Sequence, residues 1–301
     1  MKTLPSYKGV TLMHRKSLFT SYMFLLPGFL FFCFFLVYPL GRNFIYSFFS
    51  FKLTDLHNTI FVGIDNYIHV VQDRVFWISL KNIVIYGIIS VPGQMFFGFL
   101  VAYALHKNRR GLKAFRVFYF LPVITSWVVA SLMFKFLFMD QGLLNYVLTD
   151  TLHWSTDPIK WLSEPGKALL VISFLGIWKG VGWVMIIYMA ALQGVPKELY
   201  EAAALDGSHA WNQIRYITLP AIKNTTLFIR MMLIIGAFNV FTSVFLITKG
   251  GPLHETEVML TWMYQKAFTE YDLGYASALS YVFAVIIACL TYIQFRLNRQ
   301  Q

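Results

Sequence analysis

The chain has 301 residues, of which 57% are hydrophobic and only 13% charged. Soluble domains sit nearer half apolar and a quarter charged, so a water-facing surface all round is excluded and lipid contact is implied. The net charge of +11 would suit a nucleic-acid ligand, but its placement along the chain reads as membrane topology and anionic lipid contact instead. The predicted elements begin with a basic tail over residues 1–17. A bilayer core about 30 Å thick needs roughly 20 apolar residues of helix, and six segments meet that length. The first, 18–41, carries no charge and is packed with Phe. It is too long for a cleaved signal peptide and lacks a small-x-small cleavage pattern, so it is read as an uncleaved anchor. The others cover 78–105, 115–139, 168–193, 225–248 and 275–297, and a tail over 298–301 follows. Cys33 and Cys289 both lie in apolar runs, which argues against a disulfide framework.

Orientation follows from the loops. The N-terminal tail, the loops 106–116 and 194–223 and the C-terminal end hold fourteen Lys and Arg against Glu198, Glu201 and Asp206, a net of +11. The opposite loops hold seven cations against eleven acids, a net of −4. The positive-inside rule then puts both termini in the cytoplasm. Lys81, Lys135, Lys179 and Arg230 are the cations inside the segments, and all fourteen acids fall outside them. A proton- or sodium-coupled carrier usually keeps carboxylates at membrane depth, so that class is disfavoured. A polytopic membrane enzyme is a further alternative, without a recognisable nucleophile or paired-acid motif to support it. His254-Glu255 lacks the second His of a zincin, since Val258 stands there, and no metal site is expected. No G-x-x-x-x-G-K-[ST] occurs, because Gly166-Lys167 runs into Ala168. Active transport would therefore draw its energy from another subunit.

The loop 194–223 is punctuated as a short external helix. Pro196 suits a first turn, Glu198 and Glu201 suit the positive end of the helix dipole, and Ala202, Ala203 and Ala204 are strong helix formers. Gly207 can adopt the left-handed conformation that ends a helix. Leu199, Tyr200 and Leu205 add apolar surface. Such a helix, with one face of small residues, can fill a groove on a partner.

Glu201-Ala202-Ala203, Gly207 and Ile217-x-Leu219-Pro220 match the E-A-A-x3-G-x9-I-x-L-P pattern of bacterial ABC importer permeases at each of its positions. Around it, Pro196-Lys-Glu-Leu-Tyr200, Phe238-Asn-Val-Phe241, Thr248-Lys-Gly-Gly-Pro252 and Leu273-Gly-Tyr-Ala-Ser-Ala278 resemble the sugar branch, the family of the larger maltose-transporter permease. Lys249 departs from the Gly that many relatives carry. The resemblance implies an all-α integral membrane protein with a type I importer fold, its core made by the last five spans, over 78–297, and its first span wrapped outside. It implies a heterodimer with a second permease, two ATPase subunits that bind ATP and Mg, an extracytoplasmic solute-binding protein, and a place in the bacterial cytoplasmic (inner) membrane. This chain is then a transport subunit, not an enzyme, with no cofactor of its own. Glu198, Leu199, Tyr200, Glu201, Ala202, Ala203, Leu205, Asp206 and Gly207 are expected to meet the ATPase.

A sugar is met by aromatic faces and neutral hydrogen-bonding groups. At mid-depth these are Trp183 and Tyr188 in the fourth span, Asn239, Phe241 and Thr242 in the fifth, and Ser280 and Tyr281 in the sixth. Lys179, between Gly176, Gly180 and Gly182, is expected to serve structure or gating. An ABC permease for a non-sugar solute is the nearest alternative.

Overall fold

A computed structural model describes residues 8–107 and 112–299. The first seven residues of the predicted N-terminal tail, with Lys2, the loop cations Arg109 and Arg110, and the last two residues lie outside the described residues. Among the described residues, five helices are long and apolar enough to cross a membrane, and the count reaches six when the bent pair Ala210–Ala221 and Lys223–Phe238 is taken as one crossing.

Span one runs through Lys8–Phe32, a π-type turn at Cys33–Val37, and Tyr38–Tyr46. It ends five residues later than predicted. None of its apolar window, Thr20–Tyr46, is buried. It is followed by an antiparallel hairpin, β1 (Phe49–Lys52) and β2 (Asp55–Phe61), in which Phe49 pairs with Phe61 and Ser50 with Ile60. This hairpin is a local addition to an otherwise helical fold, which stands as expected. Its alternating apolar and polar residues are too few to register against the spans on either side. A short helix, Asp65–Gln72, leads into span two, Arg74–Lys107.

The predicted third span is two helices, Leu112–Ile124 and Trp127–Phe138. Pro122 removes one backbone donor near the end of the first. Ser126 takes an extended conformation, and its side chain accepts from Val128 N as the cap of the second. Span four, Pro165–Gln193, is the centre of the bundle, with more than half of its apolar window buried. Glycines let span two approach it: a Cβ on Gly180 would strike Gln94 Oε1, and one on Gly93 would come 2.5 Å from Ile177 Cδ1. The fifth predicted span is also divided, into Lys223–Phe238 and Thr242–Ile247, with a bend of 71° between the first piece and Ala210–Ala221. Span six is Leu273–Arg299.

The end bearing the loop helix Lys197–Leu205 is termed the inner end, and the end bearing the hairpin the outer. Buried apolar side chains form two clusters. The outer one gathers Ile83, Ile172, Leu175, Val244 and Leu279, and the inner one Ala102, Val184, Met185, Leu192 and Ile229. Along span four the change from one to the other falls between Leu175 and Val184, the stretch that holds Lys179.

Candidate functional site

Two features stand out: a helix exposed at the inner end and a cleft at mid-depth. The helix covers Lys197–Leu205, capped by Pro196 and Asp206. Gly207 has φ of +74°. Gly207 N bonds Ala204 O at 3.1 Å and Ser208 N bonds Ala203 O at 2.9 Å, the paired closure that satisfies otherwise orphaned terminal carbonyls. No residue of this helix is buried. Leu199 and Leu205 are 49% and 90% exposed, and Glu198, Glu201, Ala202, Asp206 and Gly207 are exposed with them. Ala203 is half-buried, as is Tyr200. The Tyr200 hydroxyl shares a 3.0 Å hydrogen bond with Thr218 Oγ1, so it anchors the helix to its own chain. The result is a short rigid rod with an outward-facing apolar and acidic surface.

The cleft consists of two adjoining cavities of about 380 and 320 Å³, which share Tyr86, Trp127 and Gly236. The larger is lined by Ser90 and Gln94 from span two, by Gly176, Lys179, Gly180 and Trp183 from span four, and by Met232 and Leu233 from span five. The smaller opens onto the break in span five, with Asn239, Phe241, Thr242 and Ser243. Asn239 Nδ2 donates to Ile235 O at 2.9 Å, which bonds the side chain back onto the helix that it ends. Phe241 stacks on Phe245 with ring centroids 5.2 Å apart. Ser243 Oγ is buried and has no hydrogen-bond partner among the described residues. No carboxylate lines either cavity. Lys179 is the one cation there, and its Nζ donates to Pro122 O, Val123 O and Thr125 O at 2.9, 3.3 and 2.5 Å.

The structure thus brings Trp183, Asn239, Phe241 and Thr242 together with Lys179. It places the other three predicted solute contacts elsewhere. Tyr188 is buried among the inner apolar cluster, edge to face with Phe99 at 5.6 Å. Ser280 accepts from Asn43 Nδ2 at 3.0 Å and Tyr281 donates to Leu40 O at 2.6 Å, so both fasten span six to span one. Tyr86, Gln94 and Trp127 line the cleft and were not singled out in the sequence. Gln94, an uncharged amide midway along an apolar helix, carried a signal of the kind that drew attention to Asn239.

The outer end is closed by a polar web. Asp73 accepts from Trp262 Nε1 at 2.8 Å and from the Tyr275 hydroxyl, and Asn82 Nδ2 donates to Glu255 O and Glu257 O at 2.9 and 2.8 Å. Glu257, 1% exposed, accepts from Thr261 Oγ1 and lies 3.2 Å from His254 Nδ1. The bonds of Asp73 and Asn82 join the start of span two to the segment between spans five and six and to the first turn of span six.

Residues 94–300 match the family described as binding-protein-dependent transport system inner membrane component. The chain is 35% identical over 278 residues, 91% of its length and 94% of the relative, to the "Probable ABC transporter permease protein YurN" of Bacillus subtilis (strain 168). It is 31% identical over 285 residues to the lactose transport system permease protein LacF of Rhizobium radiobacter, covering 93% and 94% of the two chains. Its fold matches a chain of a bacterial alginate ABC transporter solved in complex with an alginate pentasaccharide-bound periplasmic protein, with a TM-score of 0.81, 22% identity, and 95% and 96% of the two chains covered.

Proposed function

The chain belongs to the family of binding-protein-dependent transport system inner membrane components, and from that premise we propose that it forms half of the pathway of an ATP-driven carbohydrate importer. The observation that carries the carbohydrate reading is the cleft. Its walls carry Trp127, Trp183 and Tyr86, and its neutral polar side chains are Ser90, Gln94, Asn239, Thr242 and Ser243. Its one charged lining residue is Lys179, with its N–H groups already given to main-chain carbonyls, and no carboxylate is among its described lining residues. Rings offer flat apolar faces to a sugar, while amides and hydroxyls match its hydroxyls. Ser243 Oγ, buried without a partner, gains one when a solute hydroxyl reaches it. The relative named as a lactose permease supports the same solute class.

The remaining subunits follow from what this chain leaves uncovered. Span one is unburied along its apolar length, and a second permease supplies the surface for it. The exposed helix Lys197–Leu205 is the part that meets the ATPase, which binds ATP and Mg, while this chain needs no cofactor. Two ATPase subunits close on each other when ATP binds, draw the two loop helices together and open the cleft outward. Hydrolysis returns it to face inward. An extracytoplasmic binding protein delivers the sugar, in keeping with the alginate transporter, whose complex holds a periplasmic protein carrying an alginate pentasaccharide. The setting is a bacterial cytoplasmic membrane, with both termini in the cytoplasm.

The test is uptake. Cells expressing the chain with its partner subunits are given radiolabelled lactose, maltotriose and glutamine in turn. Accumulation of either sugar that stops when ATP is depleted is the expected result. Accumulation of glutamine alone overturns the carbohydrate reading, and uptake that persists without ATP overturns the ABC mechanism.

A further inference from the structure

The break in span three sits beside a cation from another span. The inner piece of span three ends at Ile124. The last carbonyls of any helix lack intrahelical partners, and that end carries the negative pole of the helix dipole. In lipid no water is available to satisfy those carbonyls. Lys179 is 5% exposed, and its ammonium has three N–H groups. All three are spent on one short stretch of main chain: Pro122 O, Val123 O and Thr125 O, at 2.9, 3.3 and 2.5 Å. Thr125 Oγ1 adds a further bond to Pro122 O at 2.7 Å. Nζ also lies 4.9 Å from the centre of the Trp127 ring, and Trp127 is the first residue of the outer piece. Close backbone approach completes the joint, since a Cβ on Gly182 would strike Tyr119 O.

We propose that Lys179 is a positioning residue: it fastens the inner piece of span three to span four by capping the helix end, and so fixes the break and the Trp127 wall of the cleft. It is not a ligand for an anionic solute, because none of its N–H groups is left to donate. The cleft therefore recognises its cargo through neutral groups. The part concerning cargo rests on the carbohydrate reading; the fastening does not, and its test needs no solute.

The experiment is a distance measurement in the whole transporter, purified with its partner subunits in lipid nanodiscs. Cys33 and Cys289 are replaced by Ser, and spin labels are attached at Val117→Cys in the inner piece and Leu170→Cys in span four, positions 65% and 54% exposed. Lys179→Met removes the cation and all three donors, and leaves buried carbonyls unpaired. The distance distribution is expected to broaden about twofold, with MgATP hydrolysis serving as the check on assembly, because buried carbonyls left unpaired are costly and the joint loosens. Lys179→Arg, which restores cation and donors, is expected to return the narrow distribution. A narrow distribution in Lys179→Met overturns the proposal, and so does one that stays broad in Lys179→Arg. Where Lys179→Met does not assemble, Lys179→Leu, which also carries no donor, takes its place with the same readings.

Discussion

A polar atom at membrane depth has protein, solute or nothing as its partner, and that makes single residues informative. Ser243 Oγ is buried without a partner, a state that costs about 1–3 kcal/mol. Removing the hydroxyl relieves that cost, so Ser243→Ala is expected to leave the thermal midpoint of the purified transporter unchanged or slightly higher. If the hydroxyl meets the sugar in the pathway, the same change slows uptake about tenfold, the kinetic equivalent of ~1.4 kcal/mol. A stability loss with uptake intact would show that the hydroxyl serves packing alone. Asn239 differs, because one N–H of its Nδ2 is already engaged with Ile235 O, which leaves the second N–H and the acceptor Oδ1 for a solute. Asn239→Asp keeps that acceptor but loses the donor and adds charge to a cleft without carboxylates, and uptake in this variant is expected to fall further than in Ser243→Ala. Tyr188→Phe provides the contrast. Its ring packs on Phe99 away from the cleft, and its uptake is expected to stay within about twofold of the parent.

At the scale of elements, the loop helix is the part most open to prediction and to test. Gly207 at φ +74° is a place where a side chain costs about 1–2 kcal/mol. Gly207→Ala is therefore expected to weaken association with the ATPase modestly. Gly207→Pro, whose ring fixes φ near −65°, cannot make the closure onto Ala204 O and is expected to abolish association while the chain still inserts. Co-purification of the ATPase with each tagged variant reads both, and normal association of Gly207→Pro would remove this helix from coupling. The helix was legible in the sequence because its signals are local: a proline, an acid in the first turn, alanines and a closing glycine, all within twelve residues. The spans were legible because composition alone identifies them. The breaks in spans three and five were not, because apolar residues run across both and a tertiary partner holds the first of them. The carbonyls at Pro122 and Val123 are satisfied from residue 179, and hydropathy reads such a stretch as continuous. The cleft was half legible for a related reason. Sequence gives the depth of Trp183, Asn239 and Tyr188 alike, but the rotation of each helix decides which of them faces the cavity. That rotation turns Tyr188 away and brings Tyr86 and Trp127 in.

For the whole molecule, the number of crossings and the charge asymmetry bear on one another. Among the described residues five helices are long and apolar enough to cross, and the bent pair Ala210–Ala221 and Lys223–Phe238 decides whether there are six. An even count puts both termini on one side, and an odd count separates them. The loops argue independently, since the set containing both ends of the chain nets +11 and the opposite set −4, a difference from which the positive-inside rule predicts that the first set faces the cytoplasm. Lys223–Phe238 has only 16 residues, about 24 Å of helix, which falls short of a core about 30 Å thick. Thr242–Ile247 adds the missing length beyond the break, so a divided helix can complete the sixth crossing. The expected outcome is that fluorescent protein fused at either terminus matures and glows, that alkaline phosphatase fused at either terminus is inactive, and that phosphatase inserted in the hairpin after Thr54 is active. Active phosphatase at the C-terminus with fluorescence at the N-terminus would mean five crossings. The loop helix Lys197–Leu205 precedes the bent pair in the chain, so it would keep its side, and the pair would have to lie along the inner surface. The cleft would then lose the wall that Gly236, Asn239 and Ser243 give it. The position of the C-terminus is therefore a test of the cleft as much as of the topology.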